Sequence, residues 1–366
     1  MKIIALLLCS VALAGAQTYK TKNVFIVTAD GLRWQDLFTG MDPLLMNEKT
    51  AGMQEEGAKE LRERLWKATP EARREVLAPF IWKELAARGG VLGNVPKGSS
   101  VKVTNSYRVS YPGYSEILTG RANDGAIKGN DPIQNPTPTV LEFVREKLGL
   151  TKTQVALIGT WDTFQQIGES KPGSVTINAG LQKIDLPDAS PRLRELSDAQ
   201  FDILVPWHGE RSDYPTFEIG LAYLKQYKPR LMHLAFGETD DWAHARRYDR
   251  VLDSISYFDR SLRKLWMTIE SMPEYKGKTT LIVTSDHGRG GTLGDFSGHG
   301  SKVVGAEQIW LAVMGPDTPH VGEGRGTVEI FQRDITPTVL TLLGIDPRGY
   351  AGVLGSPIRD VMRGGL

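Results

Sequence analysis

Five short apolar runs rich in β-branched residues, at 23–29, 154–158, 230–236, 280–284 and 309–314, alternate with helix-like stretches at 137–147, 216–226, 246–269 and 335–343. Strands that are apolar on both faces need cover on both faces. The alternation therefore predicts an α/β fold, a mostly parallel sheet with helices on both faces. The stretch from about 41 to 90 breaks the pattern; its later part is rich in Glu, Lys, Arg, Ala and Leu and reads as a helical insertion packed beside the sheet. Residues 188–213 show poor periodicity and several turn residues, and read as a surface excursion. No linker-like Ser/Gly/Pro tract and no internal repeat divides the chain, so residues 17–366 are expected to form one α/β unit.

The first residues follow a different logic. Lys2, an apolar stretch from Ile3 to Ala14, and the small residues Ala14-Gly15-Ala16 have the layout of a secretory signal peptide over residues 1–16. That stretch is too short to span a bilayer, and nothing later is long enough either. The single cysteine, Cys9, lies inside it, so the exported chain would hold neither disulfides nor thiolate metal ligands. With 44 Lys+Arg against 43 Asp+Glu, no broad basic surface argues for nucleic acid or anionic lipid. A secreted or periplasmic protein acting on a small molecule is the expectation.

Chemistry concentrates late in the chain. Of six histidines, three stand beside carboxylates or glycines in short polar segments: Asp240-Asp241-Trp242-Ala243-His244, Ser285-Asp286-His287-Gly288 and Gly298-His299-Gly300. Asp240 and His244 are one helical turn apart and would share a face. Asp286 and His287 close the run at 280–284, and Asp30-Gly31 closes the run at 23–29. In open α/β sheets, ligands collect beyond the carboxyl ends of strands. Any one of these residues is explained by a turn or a helix end. Three carboxylates after three separate strands, two of them with histidines, are not. Mixed Asp/His donors suit zinc or a similar divalent ion, and open coordination positions would make such a site catalytic.

Ser110 opens the segment Ser110-Tyr111-Pro112-Gly113-Tyr114, in which Pro112 favours a helix start and Gly120 a helix end. As N-cap, a serine there is already accounted for. The same place also exposes a hydroxyl to unpaired N–H groups and the positive end of the helix dipole, which favour an alkoxide and a phosphate. Beside a metal ion, such a hydroxyl becomes a nucleophile without a histidine base.

In chain order, from Asp30 to Asp334-Ile335-Thr336-Pro337, the set resembles the alkaline phosphatase superfamily, which includes phosphodiesterases and sulfatases. The resemblance implies two divalent ions, zinc being expected. Asp30, Ser110, Asp286 and His287 would hold one; Asp240, His244 and His299 would hold the other. Thr28-Ala29-Asp30-Gly31-Leu32-Arg33-Trp34 is most similar to the nucleotide pyrophosphatase/phosphodiesterase branch. So is Ile127-Lys128-Gly129-Asn130, which implies that Asn130 contacts a phosphoryl oxygen. Sulfatases share Ser-x-Pro and the Leu118-Thr119-Gly120-Arg121 ending, but carry an arginine where Tyr114 stands. The gap between His287 and His299 is shorter than in the phosphodiesterases. A Lys-x-Arg pair of related monomeric alkaline phosphatases is absent after the run at 154–158, where Trp161 and Phe164 would flank a leaving group instead. Arg33, Arg289 and Lys302 remain as candidate cations. What the resemblance implies is an exported two-metal hydrolase of phosphoric esters acting through a phosphoseryl intermediate. Phosphodiesterase stands ahead of phosphomonoesterase, and sulfatase trails. A non-catalytic secreted binding protein on the same fold is the rival of another class.

Overall fold

The computed structural model describes residues 18–46, 55–326 and 329–363. The expected signal peptide at 1–16, with Cys9, lies outside the described residues. Eleven strands are present among them: β1 (Asn23–Ala29), β2 (Gly90–Leu92), β3 (Ser100–Lys102), β4 (Val155–Gly159), β5 (Thr176–Ala179), β6 (Leu231–Phe236), β7 (Thr279–Thr284), β8 (Gln308–Ile309), β9 (Leu311–Met314), β10 (Gly322–Glu323) and β11 (Glu329–Phe331). Eight form one sheet in the order β10-β2-β9-β7-β1-β6-β4-β5, and β11-β3-β8 form a second. The central strands β7, β1, β6, β4 and β5 are parallel, and β9 runs antiparallel to both β7 and β2.

Every residue of β1 is buried. Phe25, Val27 and Ala29 point into one apolar core and Val24 and Ile26 into the other, as the two-residue repeat of a strand requires. The first core is closed by the helices Asp213–Tyr227 and Tyr248–Ser271, the second by Ser110–Thr119, Val140–Lys147 and Ile335–Leu342. Helices thus cover both faces. The helix expected from 137 begins at Val140, because Thr139 and Glu142 form a capping box there.

Two stretches differ from expectation. The run at 309–314 is not one strand. Ile309 pairs with β3 in the small sheet, Leu311 pairs with β7 in the large one, and the buried Trp310 between them donates its indole N–H to the Leu32 carbonyl at 2.9 Å. The excursion at 188–213 contains the helix Pro191–Ala199, capped by Ser190 and anchored by the buried Leu193 and Leu196. Between 41 and 90 the described residues form the helices Glu55–Leu65, Pro70–Leu77 and Ala86–Arg88, with a π-helical segment at Phe80–Leu85. Asp259 fixes that segment by accepting the N–H groups of Phe80 and Ile81, both at 2.9 Å. Among the described residues, no helix is long and apolar enough to cross a membrane.

Candidate active site

The parallel strands β6, β1 and β7 lie side by side and deliver their carboxyl ends to one place. Asp30 leaves β1, Asp286 and His287 leave β7, and the short helix Glu238–His244 starts just after β6. Gly31 is essential to this convergence. Its φ is 55°, and a Cβ there would lie 2.5 Å from Asp240 Oδ1 and 3.1 Å from His287 Cε1. Its N–H donates to Asp286 Oδ1 at 3.0 Å, which ties two strand ends together.

The helix Ser110–Thr119 enters the same place with every residue buried. Gly113 lets it seat on the Asp286 backbone, since a Cβ would meet that carbonyl oxygen at 2.3 Å. The helix ends at Gly120 in the left-handed conformation, as expected. Ser110 is not its cap. Val109 is the capping residue, Ser110 is the first helical residue, and among the described residues no side chain makes a capping bond there. The hydroxyl instead points at the carboxylates, with Oγ 3.5 Å from Asp30 Oδ1 and 3.4 Å from His287 Nε2.

Two groups of potential metal ligands result, Asp30, Asp286 and His287, and Asp240, His287 and His299; within each, the donor atoms lie within 4.8 Å of one another. His287 Nε2 is 3.3 Å from Asp30 Oδ1, 3.3 Å from Asp286 Oδ2 and 3.7 Å from Asp240 Oδ1. His244 Nε2 is 3.1 Å from Asp240 Oδ2 and 2.9 Å from His299 Nε2. The structure therefore brings all seven expected ligands together, and places His287 between the two groups.

The donor set fits divalent ions. Asp286 is fully buried, and among the described residues its Oδ2 has no hydrogen-bond partner, an arrangement that costs free energy unless a cation satisfies it. Burial and the neighbouring Asp30 carboxylate push Asp286 up to about 8. Burial opposes a charge on His287, but Asp286 and Asp30 outweigh it and raise that imidazole to about 9. His244 and His299 are both lowered, by burial first and by His287 next. They are neutral at neutral pH, the form that binds metal. His287 Nδ1 donates to the Gly288 carbonyl at 3.0 Å and His299 Nδ1 to the Arg108 carbonyl at 3.2 Å, which turns both Nε2 atoms toward the site; a bound cation would displace the proton that the carboxylates hold on His287 Nε2.

A family model for type I phosphodiesterase / nucleotide pyrophosphatase matches residues 63–309 of this chain, and so spans most of it. The chain belongs to that family. It is a hydrolase of the alkaline phosphatase superfamily, whose members act on phosphate or sulfate esters. No match was found among curated protein sequences. Solved structures share the fold at low identity. The alkaline phosphatase PafA is 12% identical, with 94% of this chain and 99% of that one covered and a TM-score of 0.60. A phosphonate monoester hydrolase of Agrobacterium radiobacter is 13% identical, covering 94% and 78%, with a TM-score of 0.57. A 2-O GAG sulfatase is also 13% identical, covering 94% and 74%, with a TM-score of 0.55.

In this phosphodiesterase-family chain, the contacts of two residues near the site, Tyr114 and Gln332, cannot be read from the sequence. Tyr114, one turn after Ser110, is buried and donates its phenol to Asp30 Oδ2 at 3.0 Å. Gln332 donates to the backbone carbonyls of Ser285 and Asp286 at 3.0 and 2.7 Å. Asn130 is exposed, and its Oδ1 accepts the Tyr111 N–H at 3.0 Å, so it sits against the N-terminus of the Ser110 helix. Phe164 does not flank a leaving group. It is buried, edge-on to Tyr114 at 4.5 Å between ring centroids, while Trp161 is half-buried. Arg33 is buried and consumed by Asp36, at 2.7 and 2.8 Å. Arg289 is buried too, bonded to Asp240 Oδ1 and to the Ser297 carbonyl. Lys302 is exposed. Asp334 caps local backbone by accepting from Phe331 and Ser356, and Thr336 on the helix after it bonds the Ile117 carbonyl at 2.6 Å.

Proposed function

We propose that this protein is an exported phosphodiesterase of a single domain, residues 17–366, that works with two zinc ions and a covalent intermediate on Ser110. Asp30, Ser110, Asp286 and His287 would hold one ion, and Asp240, His244 and His299 the other. The observation that carries the reading is the position of Ser110 Oγ. It stands at the N-terminus of a buried helix, within 3.5 Å of both Asp30 Oδ1 and His287 Nε2. When bound, two divalent ions supply Lewis acidity and positive charge beside phosphorus.

The chain's own residues do the rest. Asp30, fixed by the Tyr114 phenol, and His287, fixed through its Nδ1–H, hold the hydroxyl in place. The helix N-terminus favours negative charge at the serine oxygen and on the phosphoryl group. Asn130, at that same terminus, would present its amide to a phosphoryl oxygen. Ser110 Oγ forms a bond to phosphorus as the bond to the leaving alcohol breaks. The serine proton is lost and the alcohol takes one up. Ser110 then carries the phosphoryl group with its second alcohol, and water releases the monoester and restores the hydroxyl.

Diester preference is supported by charge. A dianionic monoester has one more charged oxygen to be met, and the buried cation Arg33 is already paired with Asp36. Export is supported by the signal layout at 1–16. The test is to quench the zinc-loaded protein with acid during turnover of methyl aryl phosphate. A methyl phosphate adduct on the peptide containing Ser110 is expected, and an adduct on another residue would contradict the assignment.

A further inference from the structure

Arg108, two residues before Ser110, is held at φ 53°, a region that non-glycine residues seldom adopt. Something must hold it there. Its N–H donates to Asn105 Oδ1 at 2.7 Å, and its carbonyl accepts from His299 Nδ1 at 3.2 Å. Asn105 is buried and is itself locked by Glu116 Oε2, which accepts both its N–H and its side-chain amide at 2.9 Å. Glu116 also accepts the N–H and hydroxyl of Thr104 and the N–H of Arg333. Glu116 lies on the Ser110 helix, so the loop that feeds this helix is fastened back onto it. The Arg108 guanidinium reaches outward instead, to Glu307 at 3.0 Å.

One turn therefore reaches two parts of the site. By chain continuity it sets the start of the Ser110 helix. By hydrogen bond it orients the His299 imidazole, whose Nε2 lies 2.9 Å from His244 Nε2 and 3.9 Å from Asp240 Oδ1.

We propose that Asn105 is a positioning residue: by holding the left-handed turn at Arg108, it places the nucleophile and the His299 ligand together. This rests on the two-zinc reading above. Loss of the Asn105 side chain frees the turn, and the Arg108 carbonyl then no longer fixes the imidazole. Loss of an outer-shell partner of a metal ligand typically weakens the metal by about 10–100-fold.

The experiment is chelator competition for zinc on reconstituted protein, with kcat and KM measured on the same samples. Asn105→Ala is expected to weaken the zinc site that holds His299 by at least about tenfold, and to weaken the site that Ser110 completes by less. Its kcat should fall by more than its KM changes, because the phosphoryl-binding groups remain. A folded Asn105→Ala protein with two zinc sites of wild-type affinity would overturn the proposal. Should that variant fail to fold, a second pair at the half-buried Arg108 decides. Both Arg108→Gly and Arg108→Val lose the Glu307 pair, but only glycine adopts positive φ freely. Arg108→Val is expected to bind the zinc held by His299 about tenfold less tightly than Arg108→Gly, and equal affinities would overturn the proposal. Wild-type protein that binds no zinc would remove the metal reading itself, which the same titration reveals first.

Discussion

Tyr114 Oη lies 3.0 Å from Asp30 Oδ2, a bond between the helix that carries Ser110 and the end of the central strand. Burial first, then Asp286 and Asp30, raise the phenol well above its ordinary value, so it remains a donor across the working pH range. It therefore orients the carboxylate nearest the nucleophile. Tyr114→Phe is expected to preserve the fold and to weaken the zinc held by Asp30 by about 10–100-fold, with kcat falling alongside. Chelator competition and thermal unfolding on the same variant check this. Unchanged zinc affinity would leave Tyr114 as core packing against Phe164.

Ser110→Ala is expected to cost several orders of magnitude in turnover. Since Val109 is the capping residue and Ser110 makes no capping bond, stability should fall by less than the ~1 kcal/mol that loss of a capping side chain costs. Denaturant melts and single-turnover kinetics separate the two effects. Near-normal turnover would exclude Ser110 as nucleophile.

The metal assignment is open to selective loss. His244→Ala and His299→Ala are each expected to empty the same site, and Asp286→Asn the other. Anomalous scattering on zinc-loaded crystals reads this directly. His299 bound to the ion that Asp286 holds would overturn the pairing.

Much of this arrangement was legible in the sequence, and the exceptions share a cause. The strands at 23–29 and 280–284 are apolar on both faces and so announced themselves. Asp30, Asp240 and Asp286 could be placed at strand ends because position in a parallel sheet follows from chain order. The run at 309–314 misled because continuous apolarity cannot register that Ile309 and Leu311 join different sheets. The helix Pro191–Ala199 was missed because it is short and anchored mainly by Leu193 and Leu196. Tyr114, Gln332 and Asn105 act through contacts whose partners are set only by tertiary packing. Tyr114 read merely as the absence of an arginine. Ser110 read as a cap because serine favours that place, whereas the backbone puts Val109 there.

Acid stability provides a test with a definite sign. Burial raises Glu323, but its bonds to Arg74, Lys97 and Asn94 outweigh this and lower it from 4.5 to about 2. A depressed carboxylate contributes stability that is present above its ordinary pKa and lost as pH falls through the folded one. Stability should thus decline between pH 4.5 and about 2 as the contacts joining the helical segment to β10 are protonated. Glu323→Gln is expected to flatten the unfolding free energy across that window, and an unchanged slope would exclude this group as its source.

Specificity constants for aryl phosphate, methyl aryl phosphate and aryl sulfate, measured on one zinc-loaded preparation, test the assigned reaction most directly. A charge-assisted hydrogen bond is worth about 1.5–3 kcal/mol, enough to change a rate by about tenfold or more. The methyl aryl diester is expected to exceed the monoester by at least about that factor, with the sulfate ester slowest. A clear preference for the monoester would contradict a phosphodiesterase, and would mean that Arg289, Lys302 or another cation meets the additional charge.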